Sequence, residues 1–199
     1  IYLLFFNIYI EILIMNKLLK FLEDVDIINK SIKGQINKPY FFYNGRISNI
    51  NSKYFIKKID EGCSLNTNNS FKTNVKGEMT SYSFFNKDKE FLKILFQFFD
   101  IIDEDKRTEG YILNSSWGIK NNFSHYTKEH NHEGSYFAGV IYLNNHTQLL
   151  EFPEINEVVK PEIGAFAVFS SFLKHKCRRN VTDKIKYALS FNCNYHNEF

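Results

Sequence analysis

Three of the chain's six histidines fall within HYTKEHNH, and two of them, His130 and His132, stand two residues apart just before the apolar run SYFAGVIYL. Side chains alternate faces along a strand, so an i, i+2 pair projects from one face, as two neighbouring ligands of one ion must. A third imidazole is available in His175, at the end of PEIGAFAVFSSFLKH. There Gly164 permits a turn, Ala165 to Phe169 read as a strand, and the histidine stands at the strand exit, near the mouth of a cleft. Three imidazoles suit Fe, Zn, Cu or Ni, and a mononuclear iron working with O2 needs about three protein ligands and open positions besides. A lone histidine is more often a hydrogen-bonded or surface residue. His-x-His beside an apolar strand, with a single His at the end of another, is what points to a metal. His125 has the opposite parity from His130 on a regular strand, His146 sits in the turn NNHT, and His196 is near the chain end.

A second constellation follows the hairpin RRNVTDK. In IKYALSFN, Ile185, Tyr187, Leu189 and Phe191 share one strand face, which reads as core. Lys186, Ala188, Ser190 and Asn192 share the other, a small and polar face with one cation. Such a face is either a solvated edge or the floor of an anion pocket, and periodicity does not separate the two. Tyr126, four residues before His130, is equally open: a phenol near an anion, or a core aromatic with a satisfied hydroxyl.

Positioning these groups requires a scaffold, and after Gly110 the chain has the texture of one. Short apolar runs (YILNSSWGI, SYFAGVIYL, LLEFPEI, GAFAVFSSFL, IKYALSFNC) alternate with polar turns and show no helical period. Regular strand-sized pieces of this kind predict an antiparallel barrel or a double-sheet jelly roll. Upstream, MNKLLKFLEDVDIINKSI carries Leu18, Leu19, Leu22, Val25 and Ile28 near helical spacing and predicts a helix. PYFFYNGRISNINSKYFIKK predicts a strand, a turn at Asn44-Gly45, then a second strand or short helix. The polar, Asn-rich EGCSLNTNNSF predicts a loop from Glu61 to Phe71. NKDKEFLKILFQFFDII is the strongest helix, with Asn86 as N-cap and an apolar stripe through Phe91, Leu92, Leu95, Phe96, Phe99 and Ile102.

At 199 residues, the chain is read as one domain, with a helical and loop part over 15–109 and a β-core over 110–199. Residues 1–14, IYLLFFNIYIEILI, are very apolar but too short to span a bilayer and hold Asn7 and Glu11. They are read as upstream-translated sequence or a fragment edge, with Met15 as a natural start; a short membrane-associating segment is the alternative. No clear membrane span or secretory leader is expected. A hydrophobic share of 44% excludes disorder over the whole length. The formal charge of +3, with basic residues dispersed apart from KHKCRR, gives no strong nucleic-acid signal. Cys63, Cys177 and Cys193 form neither a disulfide framework nor a zinc knuckle and suit a reducing, cytoplasmic setting.

Five blocks in order carry a family resemblance: TNVKGEMTSY, SWGIK, EHNHEGSYFAGVIYL, LEFPEI and PEIGAFAVFSSFLKHKCRRN. Over roughly Thr73 to Asn192 the chain resembles the 2-oxoglutarate/Fe(II)-dependent oxygenases of marine phages and bacteria, in their prolyl-hydroxylase-like branch. The resemblance implies a mainly β, α+β fold: a double-stranded β-helix (jelly roll, cupin-like) with N-terminal helices packed on one sheet. It further implies Fe(II) held by His130, His132 and His175, and 2-oxoglutarate held through its distal carboxylate by Lys186, where the family usually has Arg, and by Tyr126. Gly139, Trp117 and Phe169 match structural positions. O2 would be the oxidant, and the substrate a peptide, a nucleotide or a small metabolite.

Two departures stand out. His132 occupies a position that carries Asp or Glu across the wider superfamily, which leaves Glu129 and Glu133 as possible carboxylate donors. The usual Arg-x-Ser reads Lys186-Tyr187-Ala188, a point charge without the guanidinium fork. Two other readings fit the same residues: a cupin-like metalloenzyme that does not use 2-oxoglutarate, and a non-catalytic β-sandwich module that binds or builds.

Overall fold

Two antiparallel sheets face each other, and two helices cover the outer face of the larger one. The computed structural model describes residues 25–33, 39–65, 70–102 and 110–195; of 25–33 it describes the backbone alone. The strands are β1 (Val25–Lys33), β2 (Tyr40–Ile47), β3 (Val75–Lys76), β4 (Glu78–Met79), β5 (Tyr111–Asn121), β6 (Tyr126–His130), β7 (Phe137–Tyr142), β8 (Leu150–Phe152), β9 (Glu157–Val159), β10 (Ala165–Ser170), β11 (His175–Cys177) and β12 (Lys186–Tyr195). The helices are α1 (Ser52–Leu65) and α2 (Lys89–Ile102). The major sheet runs β1-β2-β10-β7-β12-β5-β4 and the minor sheet β3-β6-β11-β8-β9. This is the mainly β, double-sheet architecture expected, with its helices on one sheet.

The alternation along β12 sorts the layers. Tyr187, Leu189, Phe191 and Cys193 face the helices, where they join Phe55 and Ile59 of α1 and Phe91, Leu95 and Phe98 of α2 in one buried cluster. Ala188 faces inward into a second cluster between the sheets, with Val140, Leu150, Phe152 and Phe169. Gly139 sits where β7 passes the Phe191 ring, which a Cβ there would run into. Gly164 adopts φ 81° at the turn before β10, and a side chain would meet the Ile47 carbonyl.

Four local expectations are corrected. Val25–Lys33 is a strand, paired antiparallel with β2, although its apolar spacing suits a helix; residues 15–24 of that expected helix, like the segment 1–14 and His196, lie outside the described residues. Asn44-Gly45 makes no turn: β2 runs through it, flanked by β1 and β10. Three of the major sheet's strands, β1, β2 and β4, therefore come from residues 15–109, the part expected to be helix and loop. The expected loop from Glu61 is helical as far as Leu65, because Phe55, Ile59 and Cys63 form one buried stripe at i, i+4, i+8 and Asn51 Oδ1 caps the start by accepting from the Tyr54 N–H at 3.2 Å. Finally, Asp88 rather than Asn86 caps α2, accepting from the Glu90 and Phe91 N–H groups at 3.1 and 3.0 Å. The buried face of α2 is Phe91, Ile94, Leu95 and Phe98, while Phe96 is 55% exposed. Apolar residues nearly encircle this helix, and contact of Phe98 with Phe166 and Phe191 selects the face.

Candidate metal centre

The minor sheet brings the histidines together. β6 pairs with β11 so that His130 stands directly opposite His175. β6 ends at His130, so His132 is placed by a turn, not by strand parity; its N–H donates to the Ser171 carbonyl at 2.7 Å, tying that turn to the exit of β10. Ring centroids are 5.1 Å apart for His130–His132, 4.4 Å for His130–His175 and 5.1 Å for His132–His175. One nitrogen from each ring lies within 4.8 Å of the other two, a group that could hold a metal ion.

The surroundings prepare these rings as ligands. Nδ1 of His130 lies 2.8 Å from the Lys128 carbonyl and Nδ1 of His175 3.1 Å from the Leu173 carbonyl. A carbonyl only accepts, so each Nδ1 carries the proton and each Nε2 keeps its lone pair for an ion. Burial disfavours the imidazolium. It lowers His130, pushes His132 down to about 4 with help from the neighbouring His130, and takes His175 well below the ordinary histidine value, the other two histidines adding to the effect. All three are thus neutral near pH 7, the form that binds metal. Glu129 pairs with Lys176 at 2.9 Å and Glu133 accepts from the Asn131 amide at 2.9 Å; neither belongs to the cluster of possible metal donors.

Facing the triad is the inward side of the major sheet. Register sets Lys186 against Asn121, Ala188 between Tyr142 and Ile119, and Ser190 between Val140 and Trp117, and all of these line one cavity with the histidines. Lys186 is 2% exposed. Its Nζ reaches the Gln148 carbonyl at 3.5 Å and Cys177 Sγ at 3.4 Å, and lies 5.7 Å from the centre of the Tyr142 ring. No carboxylate among the described residues pairs with it. An interior ammonium held only by neutral groups is costly, and an anionic ligand entering the cavity relieves that cost.

Tyr126 lies elsewhere. It is half-buried with the Arg179 guanidinium 4.7 Å over its ring, and it does not line the cavity. Regular alternation would place it on the His130 side, but the β6–β11 register shifts between His175 and Cys177, and Thr127 faces the cavity instead. The phenol that does line the cavity beside Lys186 is Tyr142. Sequence reasoning missed it because both faces of β7 are buried and its apolar pattern carries no parity. Counting forward by twos from Ala138 and Val140 would not have helped without knowing which face was inward. His125 and His146 are structural: His125 Nδ1 accepts from the Asn122 N–H at 3.0 Å, and His146 Nδ1 from the Gln148 N–H at 2.9 Å.

No protein-family model matches the chain, and no curated protein sequence matches it. Solved structures do. A viral collagen prolyl hydroxylase from Paramecium Bursaria Chlorella virus-1, in complex with 2-oxoglutarate, is 13% identical with a TM-score of 0.58, covering 79% of this chain and 96% of that one. The fold is that of the 2-oxoglutarate/Fe(II) oxygenases. SnoK, a non-heme α-ketoglutarate-dependent carbocyclase from nogalamycin biosynthesis, is 10% identical with a TM-score of 0.60 over 76% of this chain and 78% of its own. HygX from Streptomyces hygroscopicus, with nickel, 2-oxoglutarate and hygromycin B bound, is 9% identical with a TM-score of 0.56 over 78% and 82%. Proteins of this fold thus include a collagen prolyl hydroxylase and a carbocyclase, and the fold by itself names no substrate.

Proposed function

We propose that the protein is an Fe(II)- and 2-oxoglutarate-dependent oxygenase that hydroxylates a C–H bond of its substrate. One observation carries this reading beyond the fold: an interior lysine with no carboxylate partner among the described residues lines a single cavity with three neutral imidazoles. A ligand that chelates a metal at one end and ends in a carboxylate at the other satisfies both. A dicarboxylic 2-keto acid is such a ligand.

The donor set fits a first-row divalent ion. His130 and His175 would hold it through Nε2, the tautomer that the Lys128 and Leu173 carbonyls fix, and His132 through one of its ring nitrogens. Iron and 2-oxoglutarate would supply oxidative decarboxylation of the keto acid to succinate and CO2, coupled to insertion of one oxygen atom of O2 into the substrate. The chain's own work is positional. Lys186 receives the far carboxylate, and the Tyr142 phenol, close enough for its ring to sit 5.7 Å from the ammonium, shares that end. Val140, Leu150, Phe169 and Ala188 keep the cavity between the two ends apolar and exclude water.

Anaerobic addition of Fe(II) and then 2-oxoglutarate to the purified protein tests the proposal. A weak visible charge-transfer band is expected only when the keto acid chelates the metal. Retained metal without that band would favour a cupin-like metalloenzyme instead, and protein holding no stoichiometric metal would favour a non-catalytic β-sandwich module.

A further inference from the structure

Cys177 is a nucleophile in the cavity of the metal centre that the proposed reaction leaves unused. It stands two residues after His175 on β11, so both side chains point inward, and the thiol lines the same cavity as the three histidines. Lys186 Nζ, on β12 of the facing sheet, lies 3.4 Å from Cys177 Sγ. Both residues are buried, Cys177 at 6% and Lys186 at 2% exposed. The other cysteines are placed differently. Cys63 and Cys193 belong to the helix-facing cluster, across the major sheet from Cys177, and burial pushes their thiols up, that of Cys63 to about 12.

A thiol in contact with an interior amine has a reaction open to it that an isolated core thiol lacks. The cavity, about 50 Å3, admits a molecule the size of hydrogen peroxide. Peroxide gives one oxygen atom to the sulfur and leaves as water; the sulfur gives up two electrons and the O–O bond takes them. The sulfenic acid so formed condenses with a second thiol or with a nitrogen. Cys63 and Cys193 lie on the other side of the major sheet, whereas the Lys186 nitrogen is already in contact. Attack by that amine forms an S–N bond and breaks the S–O bond, and the hydroxide leaves as water with a proton from the nitrogen. One thiol, one amine and one peroxide thus give one sulfenamide and two waters; an ammonium at the start releases one proton more. The sulfenamide nitrogen carries no charge, so the bond ends the cost of an interior cation held by neutral groups.

We propose that Cys177 and Lys186 form a redox-sensitive pair, closed by peroxide into a covalent Sγ–Nζ link that joins the two sheets and removes the cation from the cavity. The bond rests on the contact and on the separation of the three cysteines. Its consequence, a protein that no longer takes 2-oxoglutarate, rests on the oxygenase proposal. The test treats the metal-free, full-length protein with hydrogen peroxide and follows it by intact mass, alkylation in urea and peptide mapping. A product about 2 Da lighter than the reduced protein is expected, the mark of two hydrogens lost. It should have one cysteine fewer open to alkylation and peptides joined through residues 177 and 186. Dithiothreitol added in urea should restore the original mass and the third thiol.

Lys186→Arg keeps the charge without the amine, so it should stop at a sulfenic acid that dimedone traps, and Cys177→Ser should give neither product. Once the peroxide is removed, anaerobic Fe(II) and 2-oxoglutarate should give the linked protein a charge-transfer band at least tenfold weaker than that of the reduced protein. An unlinked Cys177 after treatment, whether still a thiol, trapped as the sulfenic acid or oxidised further, would overturn the proposal. First oxidation at Cys63 or Cys193, or an undiminished band in the linked protein, would do the same. A link in a protein that shows no band even when reduced would remove the oxygenase proposal and leave the pair.

Discussion

His132 would set the electrostatics of the proposed centre. Three neutral imidazoles would bring no charge to a divalent ion, so the chelating carboxylate of a keto acid would be the one negative charge beside it, with the far carboxylate paired to Lys186. A carboxylate at that position would leave the assembled centre one charge more negative, in a cavity with a low effective dielectric. Two outcomes follow at this scale. His130→Ala or His175→Ala should leave less than a tenth of the wild-type metal after desalting while the circular-dichroism spectrum stays that of the folded protein; unaltered metal content would end the ligand assignment. In its proposed role Lys186 would make a charge-assisted contact worth about 1.5–3 kcal/mol, so in Lys186→Ala half-saturation by 2-oxoglutarate should need about ten- to a hundredfold more cosubstrate. The tyrosines give the sharper comparison. Tyr142→Phe should raise the same requirement by several-fold and Tyr126→Phe should leave it alone, since Tyr126 packs under Arg179 outside the cavity. The opposite order in a succinate-release assay would restore Tyr126 to the role the family resemblance gives it.

At the scale of the elements, one carboxylate ties the start of α2 to α1. Asp88 caps α2, and the same carboxylate accepts from Lys58 Nζ at 2.8 Å and from the Tyr54 hydroxyl at 2.7 Å, both on α1. Burial alone would raise the Asp88 carboxyl, but the hydrogen bonds from Lys58, Tyr54 and the Phe91 N–H outweigh it and hold it below its ordinary value of 3.8. A depressed folded-state value means the unfolded chain takes up the proton first. The stability that Asp88 contributes is therefore fully present above about pH 4 and is lost as the pH falls below it towards the folded value. Asp88→Ala should cost about 1–2 kcal/mol near neutral pH, seen in the urea midpoint, and should flatten the acid limb of the stability profile; a variant as acid-sensitive as wild type would show that other carboxylates set that limb. Asn86, the cap the local sequence suggests, is occupied instead in accepting from Ser116 Oγ at 2.7 Å, a tertiary contact no window of neighbouring residues could show. The same limit explains what was legible in the chain and what was not. The two faces of β12 could be read from its alternation because one is apolar and the other small and polar, and Lys186, Ala188 and Ser190, which line the cavity with the histidines, lie on that second face. β1, the run of β2 through Asn44-Gly45 and the end of α1 could not, because a polar edge strand, an Asn-Gly inside a strand paired on both sides and a polar helix end are decided by partners elsewhere in the chain.

For the molecule as a whole, the site exists only while the two sheets face each other. The histidines belong to the minor sheet and its adjoining turn, Lys186 to the major one. The helix-facing cluster and the inter-sheet cluster lie on opposite faces of the major sheet, so they can be weakened separately. Phe191 is fully buried on the helix side and packs against Phe91 and Phe98. Phe191→Ala should cost about 3–5 kcal/mol and lower the melting temperature without touching the donor set. An ion that binds the folded state alone adds RT ln(1 + [L]/Kd), about 2.7 kcal/mol at a hundredfold excess over Kd. Redox-inert Ni(II) should therefore raise the melting temperature of the wild type and of Phe191→Ala by similar amounts, although the two start from different values, and should not raise that of His175→Ala. A metal-induced rise that vanished in Phe191→Ala would mean that the helix layer holds the triad in place and that the two faces of the major sheet are coupled. A rise that persisted in His175→Ala would mean that the ion stabilises the fold from somewhere other than the three imidazoles.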